Sequence, residues 1–245
     1  RHVPTIIHES DMTPGLANKI SIPFATKVCC NFPETVSHLP KDKAVLTGTP
    51  IRQELLEGNP EKALEFTGLS KDKPVILIIG GSLGAAAVND AVRKILPELL
   101  KDFQVIHLCG KDKVDETLSN VKGYVQYEYI KQELADLFAL ADLVISRAGA
   151  NAICELSALN KPNLLIPLSA RASRGDQILN ARSFEQLGYS KVLEEEELTN
   201  DVLLSAVRDL YENREAYITA MSSSKHKDSI QQIVQLFENA VNKTL

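Results

Sequence analysis

Short apolar runs alternate with helix-length segments along most of this chain, and that alternation confines it to a narrow set of folds. Val75-Ile-Leu-Ile-Ile79 reads as a buried strand. Gln104 to Leu108, Tyr124 to Tyr127, Leu143 to Ser146 and Asn163 to Pro167 continue the series. Segments of about 10–15 residues with a helical pattern separate most of them, the length that right-handed crossovers between parallel strands need. The expected class is therefore α/β, a parallel sheet with helices on both faces. After Pro167 the chain turns polar and then runs through helices to Leu245, with a long one expected from about Lys227.

The first 57 residues offer only two or three strands, from Thr5, Lys27 and Ala44. Alone these are too few for a stable two-sided sheet, so they read as the tail of a domain. Gly58-Asn59-Pro60 is a turn signal, and the segment from Thr67 to Pro74 is a polar connection into the buried strand. The expected organisation is a domain tail over 1–57, a linker over 58–73 and a sheet domain over 74–245, whose last helix returns toward the first part. The opening Arg1-His2-Val3-Pro4, with no initiator Met and no signal peptide, reads as cut rather than started.

Composition narrows the function. With 44% hydrophobic and 24% charged residues, the chain resembles an ordinary globular protein with a sizeable core. No apolar run reaches the roughly 18 residues of a bilayer span. A net charge of −5 and dispersed basic residues argue against nucleic acid as the main partner. Cys29, Cys30, Cys109 and Cys154 have neither zinc-ligand spacing nor the pattern of a disulfide framework, and read as inert thiols in a reducing cytoplasm.

Three loops carry the chemistry. The strand ending at Ile79 runs into Gly80-Gly-Ser-Leu-Gly-Ala85, with a helix from about Ala86. Glycines let backbone approach a ligand, a helix start offers free N–H groups to an anion, and Ser82 adds a hydroxyl. The bland alternative is a plain strand-to-helix turn. The loop lacks the Lys-Ser/Thr ending of an ATPase phosphate loop and the G-x-G-x-x-G spacing of a dinucleotide site, leaving a pyrophosphate-bearing nucleotide of another kind. The second loop, Arg147-Ala-Gly-Ala-Asn-Ala-Ile-Cys-Glu155, opens another helix at a strand's carboxyl end. If Ile153 and Leu156 face the sheet, Glu155 faces the crevice, where a carboxylate can accept both hydroxyls of a ribose; alternatively it merely complements the helix dipole. The third, Ser173-Arg-Gly-Asp-Gln-Ile-Leu-Asn-Ala181, supplies Asp176 and Gln177, suited to sugar hydroxyls, although Asp176 also reads as a helix cap.

Together these three segments resemble the donor-site motifs of the MurG family, bacterial glycosyltransferases of peptidoglycan synthesis. His8-Glu-Ser-Asp-Met-Thr-Pro-Gly-Leu-Ala-Asn-Lys19 and Gly48-Thr-Pro-Ile-Arg52 match further family segments in the same order, so the likeness covers nearly the whole chain. The His-Glu-Ser-Asp form and the Ser-Arg-Gly-Asp-Gln loop are closest to the Gram-positive branch.

The resemblance implies a glycosyltransferase of the B type, with Rossmann-like domains around a cleft. It implies transfer of N-acetylglucosamine from UDP-N-acetylglucosamine to the 4-hydroxyl of lipid I, with inversion, forming lipid II for the cell wall and hence for cell shape and division. The glycine loop, Gly81, Ser82, Leu83 and Gly84, would hold the pyrophosphate, with Arg52 reaching in. Ile130 would meet uracil through its backbone, following Glu128 and Tyr129. Glu155 would take the ribose, and Asp176 and Gln177 the sugar, with Gly149, Ala150 and Asn151 nearby. Asp11 is the acceptor-side candidate. Neither a cofactor nor a metal is implied, and the catalytic base stays unassigned, His8 reading better as a satisfied histidine. Leu83 stands where many members have Gln, Thr49 stands within a segment usually Gly-Asn-Pro, and Asp11 stands where Asn is usual.

The family's opening Gly-Gly-Thr-Gly-Gly-His loop and its apolar membrane-facing patch have no counterpart in these residues. The chain by itself is accordingly expected to bind donor without turnover, and the family to work peripherally on the inner face of the cytoplasmic membrane. Two other readings remain: a non-catalytic donor-binding half, and a UDP-N-acetylglucosamine 2-epimerase, which would need acid/base groups across the cleft that are not found.

Overall fold

The computed structural model describes residues 3–81, 85–172, 175–223 and 229–242. Two parallel sheets make up its frame. The first contains β1 (Ile6–Glu9), β2 (Lys27–Cys30) and β3 (Ala44–Leu46) in the order β1-β2-β3, with α1 (Leu16–Ser21) between the first two strands. The second follows α2 (Pro60–Thr67) and contains β4 (Val75–Ile79), β5 (Gln104–Leu108), β6 (Tyr124–Tyr127), β7 (Leu143–Ser146), β8 (Asn163–Leu165) and β9 (Lys191–Val192). Its strand order is β6-β5-β4-β7-β8-β9, and every pairing is parallel.

Helices α3 (Ala86–Asp102), α4 (Leu134–Leu140), α5 (Ala150–Ala158), α6 (Asp176–Gln186), α7 (Asn200–Glu212) and α8 (Arg214–Ser222) cover the second sheet, and α9 (Ser229–Val241) ends the described chain. Side chains alternate across β4 with the period of a strand. Ile76 and Ile78 pack with Val92, Ile95 and Leu99 of α3 and with Leu203 and Val207 of α7. Val75 and Leu77 face the other way, into a core shared with Leu137 and Phe138 of α4, Ile153 and Leu156 of α5 and Phe184 of α6. Burial on both faces explains why this strand contains nothing polar.

The segment that reads as a turn and linker holds a capped helix. The Asn59 side chain accepts from the N–H groups of Glu61 and Lys62, Pro60 takes the first helical position, and Gly68 ends α2 at φ 68. Helix α2 lies against α4, its Ala63 buried in the same core as Leu137. Gly58 just before it passes so near the backbone of Ala135 that a Cβ there would stand 2.0 Å from the Ala135 oxygen.

The two sheets are joined by more than the chain between them. Phe32 and Leu55 enter the core of the second sheet, and the Phe32 ring meets Phe184 edge-on at 5.9 Å. Helix α6 presents Asp176, Asn180 and Ser183, one face of its turns, to the first sheet. The Thr13 hydroxyl donates to Asp176, the Asn180 amide donates to Asp11, and Ser183 donates to Glu34. Asn180 is fully buried; its oxygen also accepts the Met12 N–H, and its nitrogen reaches the Ala148 carbonyl.

Candidate functional site

In an open doubly wound sheet, ligands bind at the carboxyl ends of the adjacent strands where the order of connection reverses. Those strands here are β4 and β7, paired from Ile76 opposite Leu143 to Ile79 opposite Ser146. The loop after β4 begins Gly80-Gly81, with Gly81 at φ 84, a left-handed conformation that a side chain would strain. The loop after β7 passes Arg147, Ala148 and Gly149 into α5. Ala85 and Gly149, at the cap positions of α3 and α5, supply no side-chain acceptor to the helix starts behind them. The positive ends of two helices thus flank one crevice.

A cavity of about 600 Å³ occupies this crevice, lined among others by Arg52, Gly81, Ser146, Gly149, Glu155 and Gln177. A second, of about 400 Å³, adjoins it and is lined by Gly81, Glu128, Tyr129, Ile130 and again Arg52. Gly149 is instructive. Its backbone, at φ −65 and ψ 137, suits any residue, and a Cβ there would meet nothing within 4 Å. Nothing in the described protein calls for glycine at this point; its lack of a side chain leaves the cavity open.

Ile153 and Leu156 are buried against the sheet, and Glu155 lies on the cavity wall. The Arg52 side chain crosses to it, Nε and Nη2 donating to the same oxygen, Oε1, at 3.2 and 3.1 Å. Gln177 also faces the cavity, where its Oε1 accepts the Leu168 N–H at 3.0 Å and leaves the amide nitrogen as its outward donor. Ile130 borders the second cavity, and among the described residues neither its N–H nor its carbonyl has a hydrogen-bond partner.

The remaining expected residues are scattered more widely. Ala150 is buried at the start of α5, and Asn151 beside it is exposed, outside the cavity lining. Asp176 is the first residue of α6 and not its cap: Gly175 holds the cap position at φ 83. The reason is steric, because this turn needs a left-handed residue there. Asp11 is tied to Asn180 of α6, and the His8 Nε2 lies 3.1 Å from the Gly48 carbonyl, which fixes the ring proton on that nitrogen. Ser82, Leu83 and Gly84 lie outside the described residues.

Some residues of the site have roles that the motifs around them do not announce. Arg147 lines the cavity, but its charge is committed: it pairs with Glu195 and donates to the carbonyls of Ile166 and Pro167. Glu195 comes from a distant acidic run with no motif around it. Asn180 sat inside the third motif, four residues beyond Asp176 on the same helix face, and that spacing was its one available signal. Cys154, next to Glu155, has its thiol pushed up to about 11 by burial and stays protonated, so it brings no thiolate to the site.

The profile of the glycosyltransferase family 28 C-terminal domain matches residues 75–235. A UDP-N-acetylglucosamine--N-acetylmuramyl-(pentapeptide) pyrophosphoryl-undecaprenol N-acetylglucosamine transferase of Lachnospira eligens is 64% identical over 98% of this chain and 68% of its own length. A transferase of the same name from Clostridium botulinum is 58% identical over 96% of this chain and 67% of its own. The crystal structure of Acinetobacter baumannii MurG superposes with a TM-score of 0.73 at 26% identity, covering 96% of this chain and 67% of that one. The architecture is that of the B-type glycosyltransferases, and the chain spans about two thirds of the length of these relatives. It belongs to glycosyltransferase family 28 and, within it, to the N-acetylglucosamine transferases of the MurG type.

Proposed function

We propose that the switch-point crevice holds UDP-N-acetylglucosamine, as the donor for transfer to an N-acetylmuramyl-(pentapeptide) pyrophosphoryl-undecaprenol acceptor. The observation that carries the reading is the joint placement of Glu155, Gln177 and the uncommitted Ile130 backbone around one pair of helix starts. In this reading uracil pairs with the Ile130 N–H and carbonyl, and the ribose hydroxyls donate to Glu155. The pyrophosphate lies along Gly81 and the start of α3, with Arg52 above. The Gln177 amide nitrogen donates to a sugar hydroxyl.

In the transfer itself, the acceptor hydroxyl attacks the anomeric carbon as the bond to UDP breaks, inverting that centre. Negative charge grows on the departing diphosphate, where the fixed dipoles of α3 and α5 need no reorganisation to stabilise it. A base takes the hydroxyl proton. The undecaprenyl chain of the acceptor keeps the reaction at the inner face of the cytoplasmic membrane, and the enzyme therefore acts peripherally there.

Calorimetric titration with UDP, ADP and GDP tests the donor site. UDP should bind at least about tenfold more tightly than either purine nucleotide, the scale of one or two base-edge hydrogen bonds. Similar affinity for all three would remove the uracil assignment. Incubation with UDP-N-acetylglucosamine and a short-chain lipid acceptor, read by mass spectrometry, separates the possible activities. Transfer needs the acceptor, 2-epimerisation does not, and a donor-binding unit alone produces neither.

A further inference from the structure

The two adjoining cavities share a partition. Arg52 lines both, and its guanidinium ends on Glu155, the group read above as the ribose acceptor. Both donors fall on one carboxylate oxygen instead of forming the parallel two-oxygen fork that makes arginine pairs strong. The Arg52 side chain is 51% exposed and that of Glu155 20%, so water reaches the pair and its net contribution is small. Such a pair is weak enough to yield to a better set of partners.

We propose that Arg52 determines specificity through an exchange of partners, excluding nucleosides that lack a diphosphate. Arg52 and a ribose both compete for Glu155, to which the guanidinium donates here. An entering UDP-sugar gives its diphosphate to Arg52 in place of the carboxylate, and its ribose hydroxyls to Glu155 in place of the guanidinium. Each charged group changes partner and neither is left bare. Uridine makes only half of this exchange: it competes for Glu155 but offers Arg52 nothing, so the loss of the ion pair is not returned. One residue therefore acts for the diphosphate and against the nucleoside, and discrimination contains a repulsive part as well as an attractive one. The inference rests on the ribose reading of Glu155.

The signs of the effects make it testable. Uridine and UDP are titrated by ligand-observed NMR against the native chain, Arg52→Gln and Glu155→Ala, each checked for an unchanged melting temperature. Arg52→Gln should weaken UDP by about tenfold or more, the scale of a charge-assisted hydrogen bond. The same variant should tighten uridine by about two- to fivefold, the scale of a half-exposed ion pair. Raising the ionic strength about tenfold should tighten uridine for the native chain and leave Arg52→Gln unmoved. Uridine affinity that is unchanged, weaker or undetectable in Arg52→Gln, with UDP weakened, would make Arg52 a plain phosphate ligand and overturn the exchange while sparing the donor site. If Glu155→Ala leaves both ligands unaffected, the ribose reading itself falls, and the exchange with it.

Discussion

Gly58→Ala should be among the most damaging single-methyl additions available in this chain, and the reason is distance. Gly58 has an ordinary extended backbone, φ −65 and ψ 147, so alanine meets no conformational penalty there. Its Cβ, however, would stand 2.0 Å from the Ala135 oxygen, 2.5 Å from the Ala135 carbonyl carbon and 3.0 Å from the Ala139 Cβ. Restoring an ordinary C···O separation of about 3.3 Å demands a retreat of about 1.3 Å by one backbone or the other. That retreat would stretch the 2.7 Å hydrogen bond from the Asn59 N–H to Asp136 past its useful range. Overpacking costs about 1–3 kcal/mol and loss of a hydrogen bond to a charged group about 1.5 more at this exposed position, together about 3 kcal/mol. For a chain of this size that lowers the melting temperature by about 6–12 °C. Arg52 lies six residues upstream on the same segment, so UDP affinity should fall as well. Scanning calorimetry with a UDP titration is the assay, and Gly68→Ala is the control. Gly68 stands at φ 68 with nothing within 4 Å, so its substitution should cost only left-handed strain, about 1–2 kcal/mol. A Gly58→Ala protein that melts within a degree or two of the native chain would refute the argument.

Two further outcomes follow from the same structure. Gly149→Ala should leave stability within about 0.5 kcal/mol, because its Cβ meets nothing, yet weaken UDP-sugar binding clearly; urea unfolding and calorimetry read the two effects separately, and unaltered binding would mean that no ligand approaches this backbone. His107 is fully buried between Tyr124 and Asn89, and desolvation, aided by the nearby Arg93 charge, brings its pKa down to about 3. The unfolded imidazole titrates near 6.5, so between those values the unfolded state holds more protons and stability must fall as pH falls. Between about pH 6.5 and 5 the native chain should lose roughly 2 kcal/mol that His107→Gln does not lose; equal pH dependence in urea unfolding of the two proteins would show that another group is responsible.

The central strands were legible because burial on both faces leaves their mark in composition. The expected bounds Val75–Ile79, Gln104–Leu108 and Leu143–Ser146 coincide with β4, β5 and β7, and the helix expected at Ala86 starts there. The strand from Asn163 stops as β8 at Leu165 because Ile166 and Pro167 turn their carbonyls to Arg147. Gly58-Asn59-Pro60 was harder, since one tripeptide serves both as a turn signal and as the cap of α2. At the site, the helical spacing of Ile153, Glu155 and Leu156 told which way Glu155 faces. Its partner could not be read the same way, for Arg52 lies 103 residues away and only the folded chain brings the two together. The same holds for Asn180, whose bonds to Asp11 and Met12 span 169 and 168 residues.

Helix α6 carries two duties on adjacent faces. Gln177 looks into the cavity, and Asp176, Asn180 and Ser183 fasten the first sheet to the second. A change that tilted this helix to fit a differently shaped sugar would also loosen the joint between the sheets, with fully buried Asn180 losing partners first. Adapting this scaffold to another donor therefore has to begin elsewhere. The Leu168 side of the cavity is the freer starting point, because Leu168 lines the cavity beside Gln177 and takes no part in that joint.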